Sequence, residues 1–115
     1  MELPLPLLGT YFTIQQSIVT VNVGTPVQLM AMDPSRWAWI ITLQSSAGGG
    51  ISTDTDPAHP YIFLMSQAGD RAEMVFRDFG GLVQYPWFGT SFLNPFILGV
   101  VEILYRPPQL APTQE

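Results

Sequence analysis

"MDPSRWAWIITLQSS", Met32 to Ser46, places two tryptophans two residues apart in a run of strand-forming residues. In an extended chain successive side chains point to opposite faces. Counted by twos, Trp37, Trp39, Ile41 and Leu43 share one face, and Arg36, Ala38, Ile40, Thr42 and Gln44 the other. The first face is continuously apolar and the second mixed and small, which predicts a central strand with its large residues in a core. A sugar-stacking platform is the competing reading of the tryptophans. Ile41 and Leu43 have no role in such a site, and large aromatics dominate core energetics, so both tryptophans are expected inside. Asp33-Pro34-Ser35 ahead of the strand reads as a β-turn with Pro34 in its second position.

Outward from this strand the period of two recurs. In "SIVTVNV" Val19, Val21 and Val23 alternate with Thr20 and Asn22, and after Gly24 and Pro26 "VQLMAM" sets Val27, Leu29 and Ala31 against Gln28 and Met30. "SSAGGG" reads as a flexible loop, "IST" as a short strand and "DTDPAHP" as a second loop. "YIFLM" is too short to assign by period. "QAGDR" is a turn, "AEMVF" alternates again, and "DFGG" turns into "LVQYPWFG", where Pro86 suits an edge or bulge. "FILGVVEILY" is a strongly β-prone final strand. No segment sustains a helical period, and ten glycines with eleven prolines oppose long helices. About seven or eight short strands, spaced about 8–12 residues apart, predict an all-β, antiparallel β-sandwich or jelly-roll-like barrel.

The ends differ from the middle. In "LPLPLL" each proline fixes its own φ and extends the residue before it. Residues 1–10 therefore read as an extended apolar N-terminal arm, 11–105 as the β-sandwich domain, and 106–115, "RPPQLAPTQE", as a Pro-rich C-terminal tail.

At 115 residues the chain has the size of one domain. Hydrophobic residues make up 47% and charged residues 11%, against about 25% charged in ordinary soluble domains. Such a surface is covered most naturally by association. Four arginines, no lysine and nine acidic residues leave a net charge of -5. Arg36, Arg71, Arg77 and Arg106 are isolated from one another, which argues against phosphate-backbone binding and against a polybasic membrane-surface role. Without cysteine there is neither a disulfide nor thiolate chemistry. The amino terminus lacks the basic region of a secretory signal, and no apolar run approaches the ~18 residues of a membrane span.

The chemistry-bearing residues are sparse. "AGGG" at Ala47 to Gly50 lacks the Lys-Ser/Thr and the helix of a phosphate loop. Asp54 and Asp56 alternate as in a calcium loop, without the glycine and distal glutamate that complete one, and read as turn formers. His59, the one histidine, reads as an exposed loop residue. Glu73 and Glu102 are expected at the polar phase of their strands, solvated or paired with arginine. No catalytic, cofactor or metal residue is assigned, and no cofactor is implied. "LVQYPWFGTSF" concentrates Tyr85, Trp87, Phe88 and Phe92. Part of that cluster belongs in the core, and the remainder is a candidate contact surface, since aromatics are enriched at interface hot spots.

The order of motifs carries a resemblance. An Asp-Pro-x-Arg turn before an alternating strand ("DPSRWAWIITLQ") precedes a short strand ending at an Asp-containing loop ("ISTDTDP"). An extended strand into a corner ("AEMVFRDFGGLVQYPWFG") and a closing "GVVEILY" follow. Over about Ser17 to Tyr105 this resembles the small β-sandwich decoration or cement proteins of tailed bacteriophage virions. The resemblance implies a non-enzymatic structural protein at the capsid surface, commonly a homotrimer, that clamps neighbouring subunits of the major capsid protein. Expected contacts are Leu3, Leu5, Leu7, Leu8, Tyr11 and Phe12 from the arm, with Trp87, Phe88 and Phe92 as a second set. Folding of the arm onto its own sandwich as an edge strand is the alternative for the first set. A carbohydrate- or receptor-binding module of a head fibre or tail is the alternative for the function.

Overall fold

The computed structural model describes residues 12–56 and 59–105. The 1–10 arm with Leu3, Leu5, Leu7 and Leu8, then Tyr11, and the 106–115 tail lie outside the described residues.

Eight strands follow in chain order: β1 (Phe12–Val21), β2 (Val27–Met30), β3 (Arg36–Leu43), β4 (Gly49–Ser52), β5 (Phe63–Met65), β6 (Arg71–Val75), β7 (Trp87–Ser91) and β8 (Phe96–Tyr105). They form two four-stranded sheets, ordered β1-β8-β3-β6 and β2-β7-β4-β5. All six strand pairings are antiparallel. The pairing is nested: β1 with β8, β2 with β7, β3 with β6 and β4 with β5. The β3·β8 and β4·β7 ladders then complete the two sheets.

The sheets meet through their tryptophans. Trp39 of β3 and Trp87 of β7, both fully buried, lie with ring centroids 4.9 Å apart at 60°. Phe63 of β5 joins Trp39 edge-on at 5.7 Å. Ile41, Leu43, Leu98, Val100 and Met74 fill the core from one sheet, and Leu29, Ile51 and Met65 from the other. This is the all-β, two-sheet architecture that the short alternating runs predict. Edge-to-face ring pairs of this kind contribute about 0.5–1.5 kcal/mol beyond the area they bury.

The expected phase of β3 fails at its first turn of the pleat. Its ladder with β8 pairs Arg36 with Leu104 and Ala38 with Ile103, so Trp37 is the extra residue of a β-bulge. The bulge leaves Trp39, Ile41 and Leu43 inside but swaps the two residues before them. Arg36 is 1% exposed and Trp37 39% exposed. Trp37 is therefore not a core residue, and the inward arginine is the reason. Its Nε and Nη2 donate to Glu102 Oε1 at 2.9 and 2.8 Å. Its Nη1 donates to the carbonyls of Val83 at 3.1 Å and Tyr85 at 3.0 Å, and Nη2 also reaches the carbonyl of Ala31. All five guanidinium N–H donors are thus satisfied. Glu102, opposite Trp39 in the ladder, lies in the inward phase of β8 rather than a polar one, and is Arg-paired there.

Other elements also depart from the pattern. Gly49 and Gly50 belong to β4 and are buried, not part of a flexible loop. A Cβ on Gly49 would stand 2.6 Å from Phe96 Cε2, and one on Gly50 2.4 Å from Tyr61 Cγ, so the glycines let rings lie on the backbone. "DFGG" and the start of "LVQYPWFG" form a one-turn helix α1 (Phe76–Phe79) and a 3-10 segment (Gly80–Gln84), and strand resumes only at Trp87. Val23 lies beyond β1 and is exposed. In β2 a register shift between Gln28 and Met30 buries Leu29 and Met30 together. The Asp33 turn forms as expected, with the Arg36 amide donating to the Asp33 carbonyl at 3.1 Å and Ser35 Oγ to Asp33 Oδ1 at 2.7 Å.

Truncating Glu102 to Ala leaves the Arg36 guanidinium buried without its counter-charge. Chemical denaturation of Glu102→Ala is expected to give a loss of about 3–5 kcal/mol. A loss below 1 kcal/mol would show that the pair does not anchor the fold.

Candidate contact surface

Residues directly opposite in a ladder share a face, so the registers assign the outer side of the β1-β8-β3-β6 sheet. From β1 it takes Phe12, Ile14, Gln16, Ile18 and Thr20, paired with Tyr105, Ile103, Val101, Gly99 and Ile97 of β8. From β3 it takes Ala38, Ile40 and Thr42, paired in turn with Val75, Glu73 and Arg71 of β6. The bulge adds Trp37. Phe12 bridges the aromatics, its centroid 5.6 Å from Trp37 and 5.4 Å from Tyr105.

This face is almost devoid of charge. Only Arg71 and Glu73 carry any, on the β6 edge, in an exposed pair with N···O 3.6 Å that contributes little. Ile14 is 60% exposed, Ile18 75% and Tyr105 44%. Four strands about 4.8 Å apart and up to ten residues long present a plane on the order of 500 Å². Its exposed apolar side chains, Ile14, Ile18, Trp37 and Tyr105, make it a candidate interaction site. On the inner side of β1, Thr13, Gln15 and Ser17 are exposed and polar, and burial begins only at Val19 and Val21.

The residues singled out from the sequence fall in different places. Phe12 is half-buried at one end of the outer face. Trp87 is enclosed in the core and is withdrawn as a contact residue. Phe88 is half-buried on β7, and Phe92 is exposed beside Tyr61, centroids 5.4 Å apart, with Leu93 projecting next to it. The outer face itself escaped the sequence reading. Its signal was present in "FILGVVEILY", which is apolar at both parities: Leu98, Val100 and Leu104 face in, and Ile97, Val101 and Ile103 face out. Apolar residues at both parities are the pattern of a strand buried on both faces.

The titratable cluster lies elsewhere, in the loop after β4. His59 Nδ1 is 2.8 Å from Asp54 Oδ2, and its Nε2 is 3.6 Å from Asp56 Oδ2. Asp54 Oδ1 also accepts the Asp56 amide at 3.0 Å. Both ring nitrogens thus face carboxylates, Nδ1 within hydrogen-bond distance and Nε2 at ion-pair distance. Among the described residues no group of three or more His, Cys, Asp or Glu side chains could hold a metal ion. The arrangement is a surface clasp. Its hydrogen bond to Asp54, and then the charges of Asp54 and Asp56, raise the His59 pKa above the ordinary 6.5. The same bond, and then the Asp56 amide, lower Asp54 below 3.8.

No protein-family model, no curated protein and no solved structure matches the chain.

The clasp has a defined pH window. The contribution of His59 is fully present below pH 6.5 and is lost as pH rises through its raised folded-state pKa, and that of Asp54 is fully present above 3.8 and is lost as pH falls through its lowered one. The clasp is therefore complete between these limits. The His59 ring proton is expected to titrate by NMR with a midpoint above 6.5, and Asp54→Asn to bring it back down. An unchanged midpoint in Asp54→Asn would mean that the contact is absent in solution.

Proposed function

We propose that this chain is a non-enzymatic structural protein of a phage virion, of the cement or decoration type. It self-associates and clamps neighbouring subunits of the major capsid protein at the capsid surface. The carrying observation is the nearly uncharged, largely apolar outer face of the β1-β8-β3-β6 sheet on a chain with 11% charged residues. A standard interface buries about 800 Å² per partner, of which a plane on the order of 500 Å² would supply the larger part.

The strand order favours the same reading. Nested pairing of eight antiparallel strands into two sheets is the arrangement of a jelly roll, used by viral capsid proteins, lectins and cupins. Fold alone does not give function. A cupin-type enzyme needs a histidine cluster, and the one histidine here is held in a surface clasp. Of the two binding readings, the character of the surface favours one. A broad, nearly uncharged sheet face suits a protein partner better than an enclosed ligand pocket does.

Co-sedimentation with purified capsids tests this reading. Trp37→Lys/Tyr105→Lys is expected to weaken capsid binding about tenfold or more, since buried aromatics dominate interface energies. Unchanged occupancy, with the variant folded by circular dichroism, would overturn it.

One observation favours the lectin-like alternative. The bulge sets Trp37 at the rim of a depression of ≈ 210 Å³, together with Pro34, Phe76, Gln84 and Tyr105. If this is a sugar site, a glycan series shifts the tryptophan emission saturably, and Trp37→Ala abolishes the shift. On the virion reading no glycan moves the spectrum.

A further inference from the structure

We infer that β1 pairs edge to edge with β1 of a second copy of this chain, joining two four-stranded sheets into one of eight strands. Four strand edges exist among the described residues: β1 and β6 in one sheet, β2 and β5 in the other. Three carry the devices by which proteins protect edges. β6 bears Arg71 and Glu73, β2 has four residues and a register shift, and β5 has three residues. β1 carries none. "FTIQQSIVTV" is ten residues long, with no charge, proline or glycine, and its ladder with β8 runs without a shift from Phe12 to Val21. From Thr13 to Ser17, and at Ile18, its side chains are exposed on both faces, so nothing described covers the free edge.

The strand is also self-complementary. An antiparallel pair centred on Gln16 sets Ile14 opposite Ile18 of the second copy, and Gln15 opposite Ser17. Directly opposed side chains in such a pair lie about 4.5–5.5 Å apart. At the centre of the pair isoleucine meets isoleucine and Gln16 meets its own copy on the outer side, and glutamine meets serine on the inner; further out Phe12 meets Thr20 and Thr13 meets Val19. With the twofold axis normal to the sheet, both apolar outer faces lie on the same side and form one continuous surface. A slip of two residues breaks the Ile14–Ile18 contact, setting Gln16 opposite Ile14 in one direction and opposite Ile18 in the other, and a slip of one would join unlike faces. With no charge on the strand there is no repulsion to prevent the contact. The product is an isologous dimer, not the trimer that the phage resemblance implies.

Sedimentation equilibrium of the full chain tests the pairing and its register. The expected mass at tens of micromolar is twice 12.7 kDa. In Ile14→Lys/Ile18→Lys each lysine meets a lysine of the other copy, and the dimer dissociation constant is expected to rise about tenfold or more. In Ile14→Lys/Ile18→Glu each lysine meets a glutamate, and the constant is expected to return to within about threefold of the parent. Both positions are solvent-exposed, and thermal melts confirm that both variants fold. Amide exchange supplies a second readout: protection of Thr13 to Thr20 is expected to rise with protein concentration. A monomeric parent chain, a trimer, or equal weakening in the two variants overturns the inference. So does a chain that dimerises only after residues 1–10 are removed, because the arm would then be the occupant of the edge. Capsid binding is scored separately, so a dimer that ignores capsids sinks the virion reading alone.

Discussion

The guanidinium of Arg36 is the constraint on which the rest of the arrangement depends. It is fully enclosed, yet it contacts β8 through Glu102, the segment before β7 through Val83 and Tyr85, and the segment after β2 through Ala31. One side chain thus ties both sheets and the crossing between them. Burying an ion pair brings little net stability, because desolvation offsets most of the attraction. Its effect is on register. A guanidinium with five satisfied donors fits only where three carbonyls and a carboxylate converge, and β3 must bulge to bring it there. Trp37 is turned outward as a result. The aromatic end of the outer face, Trp37 with Phe12 and Tyr105, is a by-product of the internal demand for an arginine.

The outer face and the free edge express one property at two scales. With 11% charged residues the chain has little with which to blunt its surface. What charge there is on this sheet is spent inside, at Arg36 and Glu102, or at the β6 edge, at Arg71 and Glu73. The opposite edge and the plane beside it remain apolar and sticky. Among soluble proteins, unprotected strand edges of this length are selected against unless they pair.

Much of the fold was legible because alternation reports burial directly. The β3 run from Trp39 to Leu43, the Asp33 turn, the Gln67–Asp70 turn and the β8 strand all follow from period and turn chemistry. What was hidden has specific physical causes. A bulge changes phase without changing composition, so simple alternation puts Trp37 and Arg36 on the wrong sides. A glycine run looks like a loop unless one knows that Tyr61 and Phe96 lie on it, which is tertiary information. Composition groups Trp87 with its aromatic neighbours, whereas the pleat sends Trp87 inward and leaves Phe88 half-buried. The outer face was present in the double-sided hydrophobicity of β8, but only the registers show which residues gather there.

The nested strand order also governs the sequence of assembly. β4 and β5 are neighbours in the chain and can zip first; each further pair encloses the one before it, and β1 with β8 closes last. β8 stands between β1 and β3, so until it docks, β1 has no partner and half of the core lacks a wall. Such long-range closure is slow, in the range of milliseconds to seconds. The last strand to arrive is also the first expected to detach in native-state fluctuations. A nascent or partly opened molecule would therefore offer β1 with both edges bare, making this segment the most probable start of domain exchange or misassembly while the chain matures.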